Sequence, residues 1–272
     1  MTRMPSLGYK DVQGFKFESR LLGVTLSVYV YFIDGLLIDT GHPNGRKQIF
    51  ATLKGLPVNQ IFLTHYHEDH SGNSPLFQEH FQCPAYSSSL CAEIMKNPPP
   101  LCPAQKILWG DRPANSSLIP EDHLIQTPNY TFQLIPVPGH APDMFALYEA
   151  NHGLIFSADL WISPRINYFI DSESMKDQIE SLKRLLTLDF DALLCSHNPV
   201  LKDGKTAIRK KLQFLEDFYG RVATLYHKGY SVWAIRRKIR LKEHWLMYAL
   251  SLGALSATNM IRSVIRDEQA GS

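Results

Sequence analysis

Short apolar runs separated by polar turns predict strands in the first part of the chain. Residues 24–39, VTLSVYVYFIDGLLID, are rich in β-branched and aromatic side chains, and Asp34-Gly35 is the dipeptide that a type I′ hairpin turn prefers. We therefore expect a hairpin here. Residues 43–55 mix apolar and polar positions at helical spacing, and the run IFLT at 61–64 is a strand candidate. The predicted order is strand, helix, strand.

The chain continues this alternation up to about residue 200. The other predicted helices cover 73–81, 90–96 and 174–188, and the other predicted strands cover 85–88, 132–137, 154–157 and 192–195. Proline recurs between residues 97 and 128, which indicates a lid or a surface loop rather than regular core. Strands separated by helices and turns indicate an α/β layer architecture.

Residues 205–272 differ from the rest of the chain in both pattern and charge. They hold 13 Lys or Arg against 5 Asp or Glu, whereas residues 1–204 hold 15 against 21. Apolar positions at helical spacing predict a helix over 205–228 that stops at Gly229, a second helix with Ser231 as its N-cap, and a third after Ser256. We expect a domain boundary here, with one domain at 1–204 and a basic helical extension at 205–272.

Composition favours a water-soluble globular protein. The chain has 272 residues, of which 44% are hydrophobic and 20% charged, and no stretch approaches the ~18 apolar residues that a membrane span needs. The four cysteines are scattered without a C-x-x-C pair, and the N-terminal segment lacks the apolar core of a signal peptide. We expect reduced thiols, a cytoplasmic location and no membrane partner.

The segment THYHEDHSG at 64–72 concentrates ionisable side chains directly after a predicted strand. Three further apolar runs also stop at a residue that can bind a metal, namely His140, Asp159 and His197. Strand ends meet at one edge of a sheet, so residues far apart in sequence can converge there. Four candidate ligands so close together are rarely needed by one metal, which indicates two.

The seven candidate ligands divide into two sets. His65, His67 and His140 would hold one ion, Asp69, His70 and His197 would hold the other, and Asp159 would bridge both. Imidazole and carboxylate without thiolate suit zinc, with iron or manganese as alternatives. Asp39 is a candidate to accept a hydrogen bond from a ligand histidine.

The pattern H-x-H-x-D-H, followed by separated His, Asp and His, resembles the metallo-β-lactamase superfamily. The resemblance is to the dinuclear hydrolase branch that includes glyoxalase II and the quorum-quenching lactonases, and it spans about residues 20–200. The stretches LLIDTG at 36–41 and PGH at 138–140 are similar to landmarks of that family. The resemblance implies a four-layer αββα sandwich, here with a C-terminal helical extension.

Two bound ions about 3.5 to 4 Å apart would activate a water to hydroxide, which predicts hydrolysis of an ester, thioester or lactone in a small-molecule substrate. Asp69 would bind a metal and orient the attacking hydroxide. Arg165 and Tyr168 leave the sheet beside Asp159 and are candidates to bind substrate, as is His42 after IDTG.

Other functions remain as alternatives. The basic helices could bind nucleic acid, which would make the chain an endoribonuclease or phosphodiesterase of the same fold. They could also form a cap or a homodimer interface. Asp159 stands where some β-lactamases of this fold have a cysteine ligand, which argues against penicillin hydrolysis, and PGHAPDM departs from the glyoxalase II pattern. A non-enzymatic binding module would not need all seven ligands.

Overall fold

Two β-sheets packed face to face form the centre of the molecule. The structure, a computed structural model, describes residues 5–21 and 24–270. The first sheet runs in sequence order and consists of β1 (Leu7–Tyr9), β2 (Val12–Leu21), β3 (Val24–Ile33), β4 (Leu36–Ile38), β5 (Gln60–Leu63), β6 (Ala85–Ser87) and β7 (Ile119–Pro120). Its first four strands pair antiparallel and its last four pair parallel.

The second sheet has five strands. These are β8 (Leu124–Gln126), β9 (Thr131–Pro136), β10 (Phe145–Glu149), β11 (Leu154–Ala158) and β13 (Ala192–Cys195). In space their order is β13-β11-β10-β9-β8, with one parallel pair between β11 and β13. A two-residue strand, β12 (Phe169–Ile170), pairs outside this sheet with β14 (Leu255–Ser256) near the C-terminus.

Ten α-helices flank the sheets within the described residues. They are α1 (Arg46–Leu53), α2 (Glu68–Ser71), α3 (Ser74–Phe81), α4 (Ser89–Lys96), α5 (Pro103–Leu108), α6 (Met175–Leu186), α7 (Gly204–His227), α8 (Val232–Lys238), α9 (Trp245–Leu250) and α10 (Ala257–Ala270). Among them, no helix is long and apolar enough to cross a membrane.

Three apolar clusters show that the layers are stacked as helix, sheet, sheet, helix. Side chains such as Ile38 and Phe62 from the first sheet meet Phe132 and Phe156 from the second. The other face of the first sheet packs on α1, α3, α4 and α5, whereas the other face of the second sheet packs on α6, α7, α8 and α10. Strands such as β4, β5, β11 and β13 are buried on both faces, and for that reason their sequences are apolar runs. The predicted αββα sandwich is confirmed.

The hairpin predicted at Asp34-Gly35 is present. Asp34 has φ 47° and Gly35 has φ 86°, the left-handed backbone that a type I′ turn requires at both central positions. This turn joins β3 to β4 in antiparallel register, with Tyr31 opposite Ile38. The turn therefore aims the end of β4 at the residues that follow β5.

The segment 97–128 is more ordered than the predicted loop. Pro103 begins α5, where its missing N–H costs no hydrogen bond, and Cys102 and Gln105 cap the helix reciprocally. The buried Arg112 and Asn115 tie the rest of the segment to neighbouring elements. Strands β2 and β10 and helix α9 also lie outside the predicted elements.

The C-terminal helices follow the prediction closely, and they share a core with the second sheet. Ser231 caps α8 through its side chain, and Gly229 has φ 78° after the end of α7. Ile208, Leu215 and Met260 are buried in the same cluster as residues of β11 and β13. The division into domains at residue 204 stays a prediction. Residues 1–4 of the N-terminal segment and 271–272 of the extension lie outside the described residues.

Candidate metal centre

Four strand ends deliver the candidate ligands to one place. His65 follows β5 of the first sheet, whereas His140, Asp159 and His197 follow β9, β11 and β13 of the second. Backbone hydrogen bonds join the sheets here, since Phe145 N donates to Thr64 O at 3.0 Å and Tyr29 N donates to Ser196 O at 2.7 Å. The two sheets are thus fixed against each other at the end of the sandwich where the ligands emerge.

The turn that carries His140 depends on Gly139. Gly139 has φ 131°, and a Cβ atom at this position would lie 2.5 Å from the backbone nitrogen of Gln178 at the start of α6. Its carbonyl accepts a hydrogen bond from Ser174 N at 2.8 Å. Only glycine allows this close approach of the turn to the helix. The PGH stretch therefore requires its glycine for steric reasons, and it also contains a candidate ligand, His140.

The first set of candidate ligands is His65, His67 and His140. One nitrogen of each lies within 4.8 Å of the others. His67 Nδ1 is 3.0 Å from His140 Nε2, and the rings of His65 and His67 are 4.7 Å apart at nearly right angles. The three nitrogens are thus close enough together to serve as ligands of a single ion.

The second set is Asp69, His70, Asp159 and His197, which also lie within 4.8 Å of one another. Asp159 Oδ2 is 3.0 Å from His197 Nε2 and 3.5 Å from His140 Nε2, while Asp159 Oδ1 is 3.5 Å from His70 Nε2. Asp159 therefore lies between the two sets, where a bridging carboxylate would be.

Buried atoms without hydrogen bonds support a fit to metal ions. Within the described part of the chain, His65 Nε2, His70 Nε2 and Asp159 Oδ1 are buried and have no hydrogen-bond partner. An unpaired buried polar atom is costly, so native proteins rarely keep three in one cluster without a ligand. The donor set of five imidazoles and two carboxylates suits divalent cations.

The electrostatics of the site also suit cation binding. Burial, followed by the neighbouring histidines, holds the pKa of His65 well below its usual value, and burial and His140 do the same for the pKa of His67. Burial opposes ionisation of Asp69, but His70 and His197 lower its pKa to about 2. Burial opposes protonation of His70, His140 and His197, but neighbouring carboxylates raise the pKa of all three. A bound cation would displace these protons, because neutral imidazoles and ionised carboxylates are the forms that bind metals.

Asp39 orients one candidate ligand. Its Oδ2 is 2.8 Å from His70 Nδ1, and its Oδ1 accepts a hydrogen bond from Thr64 N at 2.9 Å. Asp39 follows β4 with φ 64°, so the strand ends in a left-handed turn that aims the carboxylate at the site. Contact with Asp39 fixes the His70 ring with its Nε2 facing the cluster.

Glu173 makes a corresponding contact that the sequence did not reveal. Its Oε2 is 3.4 Å from His140 Nδ1 and accepts a hydrogen bond from Gln178 Nε2 at 2.7 Å. Ser263 and Arg266 of α10 both donate to the Glu173 carbonyl at 3.0 Å. The C-terminal helix α10 therefore holds Glu173, whose carboxylate orients the candidate ligand His140. No local sequence motif predicts this contact.

Arg112 attaches the 97–118 segment to the ligand motif. Its guanidinium lies 4.9 Å from the ring centre of Tyr66, donates to the Tyr66 carbonyl at 3.0 Å and is 3.6 Å from the Glu68 carboxylate. Burial and the nearby Asp69 raise the pKa of Glu68 to about 7. Arg112 thus holds the segment against the backbone between His65 and His67.

A cavity of about 430 Å³ opens onto the candidate ligands. Leu108 and Trp109 form part of its wall, Met247 and Leu255 come from the C-terminal segment, and Lys211 reaches it from α7. The other lining residues include Ile162, Ile166, Asn167, Ile170, Gln178 and Asn198. Two regions that are distant in sequence, at 105–109 and 247–255, therefore enclose the site.

Of the three predicted substrate-binding residues, two line the cavity and one does not. Arg165 and Tyr168 line the cavity. His42 is outside its lining: it packs against Trp109 at 5.2 Å between ring centres and accepts a hydrogen bond from Gly45 N at 3.0 Å. Trp161, in the same segment as Arg165, instead donates to the Ala207 carbonyl at 3.0 Å. A role of His42 in substrate binding stays a prediction.

Lys211 is an unusual member of the lining because it is only 2% exposed. Its Nζ donates to the Leu160 carbonyl at 2.6 Å, directly after Asp159. Burial lowers the pKa of Lys211 to about 8, against the opposing effect of Glu173 and Asp159. The lysine therefore fixes the chain after the central carboxylate and brings a positive charge near it.

The fold and the site together define a class of protein, an αββα sandwich with paired histidine and aspartate ligand sets at the strand ends. The chain belongs to the metallo-β-lactamase superfamily, whose family model matches residues 23–197. Members of this superfamily are generally hydrolytic metalloenzymes.

Individual relatives are distant. The chain is 26% identical over 174 residues to a hydroxyacylglutathione hydrolase of Hamiltonella defensa and 23% identical over 171 residues to a β-lactamase-like protein 2 homolog of Caenorhabditis elegans. These matches cover 63% and 61% of this chain, but 61% and 52% of the relatives. The chain thus spans between half and two thirds of the length of these curated relatives.

Solved structures show the same fold. A metallo-β-lactamase family protein of Thermus thermophilus has a TM-score of 0.67 at 17% identity, with 96% of this chain and 95% of that chain covered. A metallo-β-lactamase of Pontibacter korlensis has a TM-score of 0.62 at 17% identity, with 78% and 98% covered. The first of these matches includes most of the C-terminal helices.

Proposed function

We propose that the protein is a hydrolase of ester, thioester or lactone bonds that uses two divalent metal ions. The observation that carries this proposal is the position of Asp159 between two ligand sets in one buried cluster. His65, His67 and His140 would hold one ion, and Asp69, His70 and His197 the other. Zinc fits this donor set best, with iron or manganese as alternatives.

When bound, such ions supply a hydroxide at neutral pH and a Lewis acid for the substrate carbonyl. The chain's own residues would do the rest. Asp69, whose Oδ2 is 3.5 Å from His70 Nε2 and from His197 Nε2, would orient the attacking oxygen. Tyr168 would donate its hydroxyl to the substrate carbonyl oxygen, and Arg165 would bind an anionic group of the substrate.

The apolar part of the lining favours a substrate with an apolar portion. Leu108, Trp109, Met247 and Leu255 would surround it and exclude water from the reacting bond. The relative named hydroxyacylglutathione hydrolase is consistent with a thioester. Asp143 of the PGHAPDM stretch accepts a hydrogen bond from Tyr66 N at 2.8 Å, so its carboxylate serves the ligand motif.

We also propose a cytoplasmic protein. Cys83, Cys91, Cys102 and Cys195 are all free thiols in the structure, as expected in a reducing compartment.

Cleavage of a phosphodiester bond in nucleic acid ranks second. It is favoured by the basic residues of the C-terminal segment. Among the described residues that line the cavity, however, Arg165 and Lys211 are the only basic ones other than histidine, and Lys211 is buried. An RNA-binding titration across salt concentrations separates the two functions, because phosphate contacts weaken steeply with salt.

The test combines metal analysis with a substrate panel. The purified chain should contain up to two metal ions and hydrolyse aryl esters, acyl thioesters or lactones, and Asp159→Ala should lose both metal and activity. Asp189→Ala, which changes an exposed carboxylate that is not a candidate ligand, is the matched control. Undiminished hydrolysis by Asp159→Ala would overturn the proposal, as would hydrolysis by a chain that binds no metal.

A further inference from the structure

Large apolar side chains are exposed in one part of the C-terminal segment. Trp233 is 55% exposed, Trp245 59% and Leu252 82%, and Tyr230 and Leu246 are also exposed. Elsewhere among the described residues, exposed side chains of this kind are limited to Leu90, Ile107, Ile119 and Leu124. Soluble monomers seldom gather such residues within a short segment unless the surface binds something.

Basic side chains contact several of these exposed rings, and Trp233 and Trp245 share one basic neighbour. The Arg236 guanidinium lies 5.3 Å from the ring centre of Trp233 and 5.1 Å from that of Trp245. Trp245 in turn packs edge-on against Tyr248 at 5.7 Å, and Lys238 Nζ lies 4.4 Å from the ring centre of Tyr230. We call the exposed residues Tyr230, Trp233, Trp245, Leu246 and Leu252, with their basic neighbours, the aromatic–basic surface.

The frame that carries this surface is well anchored. The Glu243 carboxylate accepts hydrogen bonds from Ser256 Oγ at 2.7 Å and from Ala257 N at 2.9 Å, so it caps α10. Arg236 Nε donates to the Leu241 carbonyl at 3.3 Å across the connection between α8 and α9. The exposed rings are therefore held by folded structure and do not belong to a frayed end.

The charge of the segment is one-sided. Residues 228–246 contain six basic side chains and one acid, Glu243, which is already engaged as a cap. The basic residues are Lys228, Arg236, Arg237, Lys238, Arg240 and Lys242. A partner for this surface must therefore be anionic and must also accept exposed indole and leucine side chains.

The same segment reaches the cavity. Met247 lies between the exposed Leu246 and the ring of Tyr248 on α9, and both Met247 and Leu255 line the cavity. Helix α9 packs against α5, where Leu108 lines the cavity and the neighbouring Ile107 is 52% exposed. Apolar groups thus extend from the cavity wall to the outer surface.

We propose that the aromatic–basic surface docks the protein on an anionic lipid surface. Indole rings and leucines insert at the boundary between headgroups and acyl chains, while lysines and arginines contact lipid phosphates. Leu246, Leu252 and Ile107 have no π face on which a base could stack, which argues against RNA. A second copy would place one strongly basic surface against another. Docking of this kind needs no membrane-spanning helix. It differs from the prediction, made from the sequence, that the protein has no membrane partner.

Vesicle binding tests this proposal independently of any hydrolysis. The full chain should bind phosphatidylcholine vesicles that contain about 30% phosphatidylglycerol at least about tenfold more tightly than phosphatidylcholine alone, and salt should weaken the binding. The exposed Trp233 and Trp245 should report insertion by a blue shift of tryptophan fluorescence, since Trp109 and Trp161 are already buried.

Variants distinguish insertion from general basic charge. The double variant Trp233→Ser with Trp245→Ser should lose about tenfold or more in vesicle affinity, as should Leu246→Ser with Leu252→Ser, because both remove inserted apolar area. The matched control is Leu90→Ser with Leu124→Ser, which alters side chains of similar exposure on other elements. Circular dichroism of each variant checks folding.

Several outcomes would overturn the proposal. Equal binding to neutral and anionic vesicles, or no binding at low salt, would do so. Binding to single-stranded RNA without binding to vesicles would assign the surface to nucleic acid. A stable dimer in sedimentation analysis whose tryptophans are protected from quenching would assign it to a second copy of the chain.

Discussion

The strand-end cluster and the C-terminal helical segment both shape one cavity, but they do so by different means. The cluster consists of one short motif, His65 to His70, and three residues from other strand ends, His140, Asp159 and His197, all of them buried or nearly so. The helical segment adds single residues from separate helices, Lys211 from α7, Met247 from α9 and the hydrogen bonds of α10 to Glu173.

This difference separates candidate metal chemistry from support and enclosure. The cluster supplies every candidate ligand, and the helical segment supplies groups that hold, neutralise or cover them. If that separation is correct, substitutions in the cluster should remove metal, whereas substitutions in the helical segment should change affinity or stability while the ligands stay in place.

The largest effect is expected for His70→Ala. His70 is fully buried between Asp39, Asp69 and Asp159, so its loss removes a candidate ligand and leaves carboxylates without their partner. We expect about one metal ion fewer per chain, and a loss of hydrolysis greater than the about 10- to 100-fold that removal of an outer partner costs. Elemental analysis of the purified variant measures the first, and the substrate panel the second.

His80→Ala is the matched control, because His80 is an exposed histidine on α3. Within the described part of the chain, its polar contact is with the Lys54 carbonyl. It should keep full metal content. An unchanged metal content in His70→Ala would break the proposed separation, since the cluster would then tolerate loss of a central member.

The next effect concerns stability and pH at Lys211. Its pKa is lowered from 10.5 to about 8 in the folded state, so between these values the unfolded chain binds the proton that the folded chain has lost. Stability should therefore rise with pH across this range by about 3 kcal/mol from this group, and Lys211→Met should lack that rise. Urea unfolding of both proteins at a series of pH values measures the difference.

Lys210→Met serves as the control, because it removes an exposed lysine beside Lys211 on the same helix. Parallel pH dependences for the wild type and Lys211→Met would show that the buried lysine does not titrate as its surroundings indicate.

A third effect compares two orienting carboxylates, one from each region. Asp39 contacts His70 from the end of β4, and Glu173 contacts His140 while α10 holds its backbone. Asp39→Asn and Glu173→Gln should each weaken metal affinity by about 10- to 100-fold without loss of the ligands themselves. Competition with a chelating indicator dye measures both.

A weakening confined to Asp39→Asn would show that the helical segment does not support the metal site. Gln178→Leu, which removes the hydrogen bond to Glu173 and keeps the carboxylate, should have an intermediate effect.

The sequence predicted the cluster because its signal is local. His65 to His70 follow one strand, and His140, Asp159 and His197 each follow another, so period and spacing alone point to convergence. The structure brings His65, His67 and His140 into one group, and Asp69, His70, Asp159 and His197 into another. The apolar runs predicted an α/β layer architecture for the same reason, whereas the αββα order was implied by the resemblance to the metallo-β-lactamase superfamily.

The contacts that support the cluster could not be predicted, because they join residues that are far apart in the sequence. Ser263 meets Glu173 from 90 residues away, and Lys211 meets Leu160 from 51 residues away. Ser263 and Lys211 each lie in a helix whose sequence pattern predicts only that one face is buried. Met247 and Leu255 lie in α9 and β14, elements too short for a periodic signal.

The smallest effect is expected for a residue of the helical segment that has no role at the candidate ligands or in the cavity lining. Ser231 caps α8 by accepting a hydrogen bond from Ala234 N, and this helix carries Trp233 but contributes nothing to the cavity lining. Ser231→Ala should lower the free energy of unfolding by about 1 kcal/mol, because an N-terminal N–H loses its acceptor. Metal content and hydrolysis should stay at the wild-type level. Thermal unfolding followed by circular dichroism measures the loss, and the metal content of the same sample gives the comparison. A parallel fall in metal content would mean that α8 is coupled to the cluster through the shared core, and the two regions would then act as one.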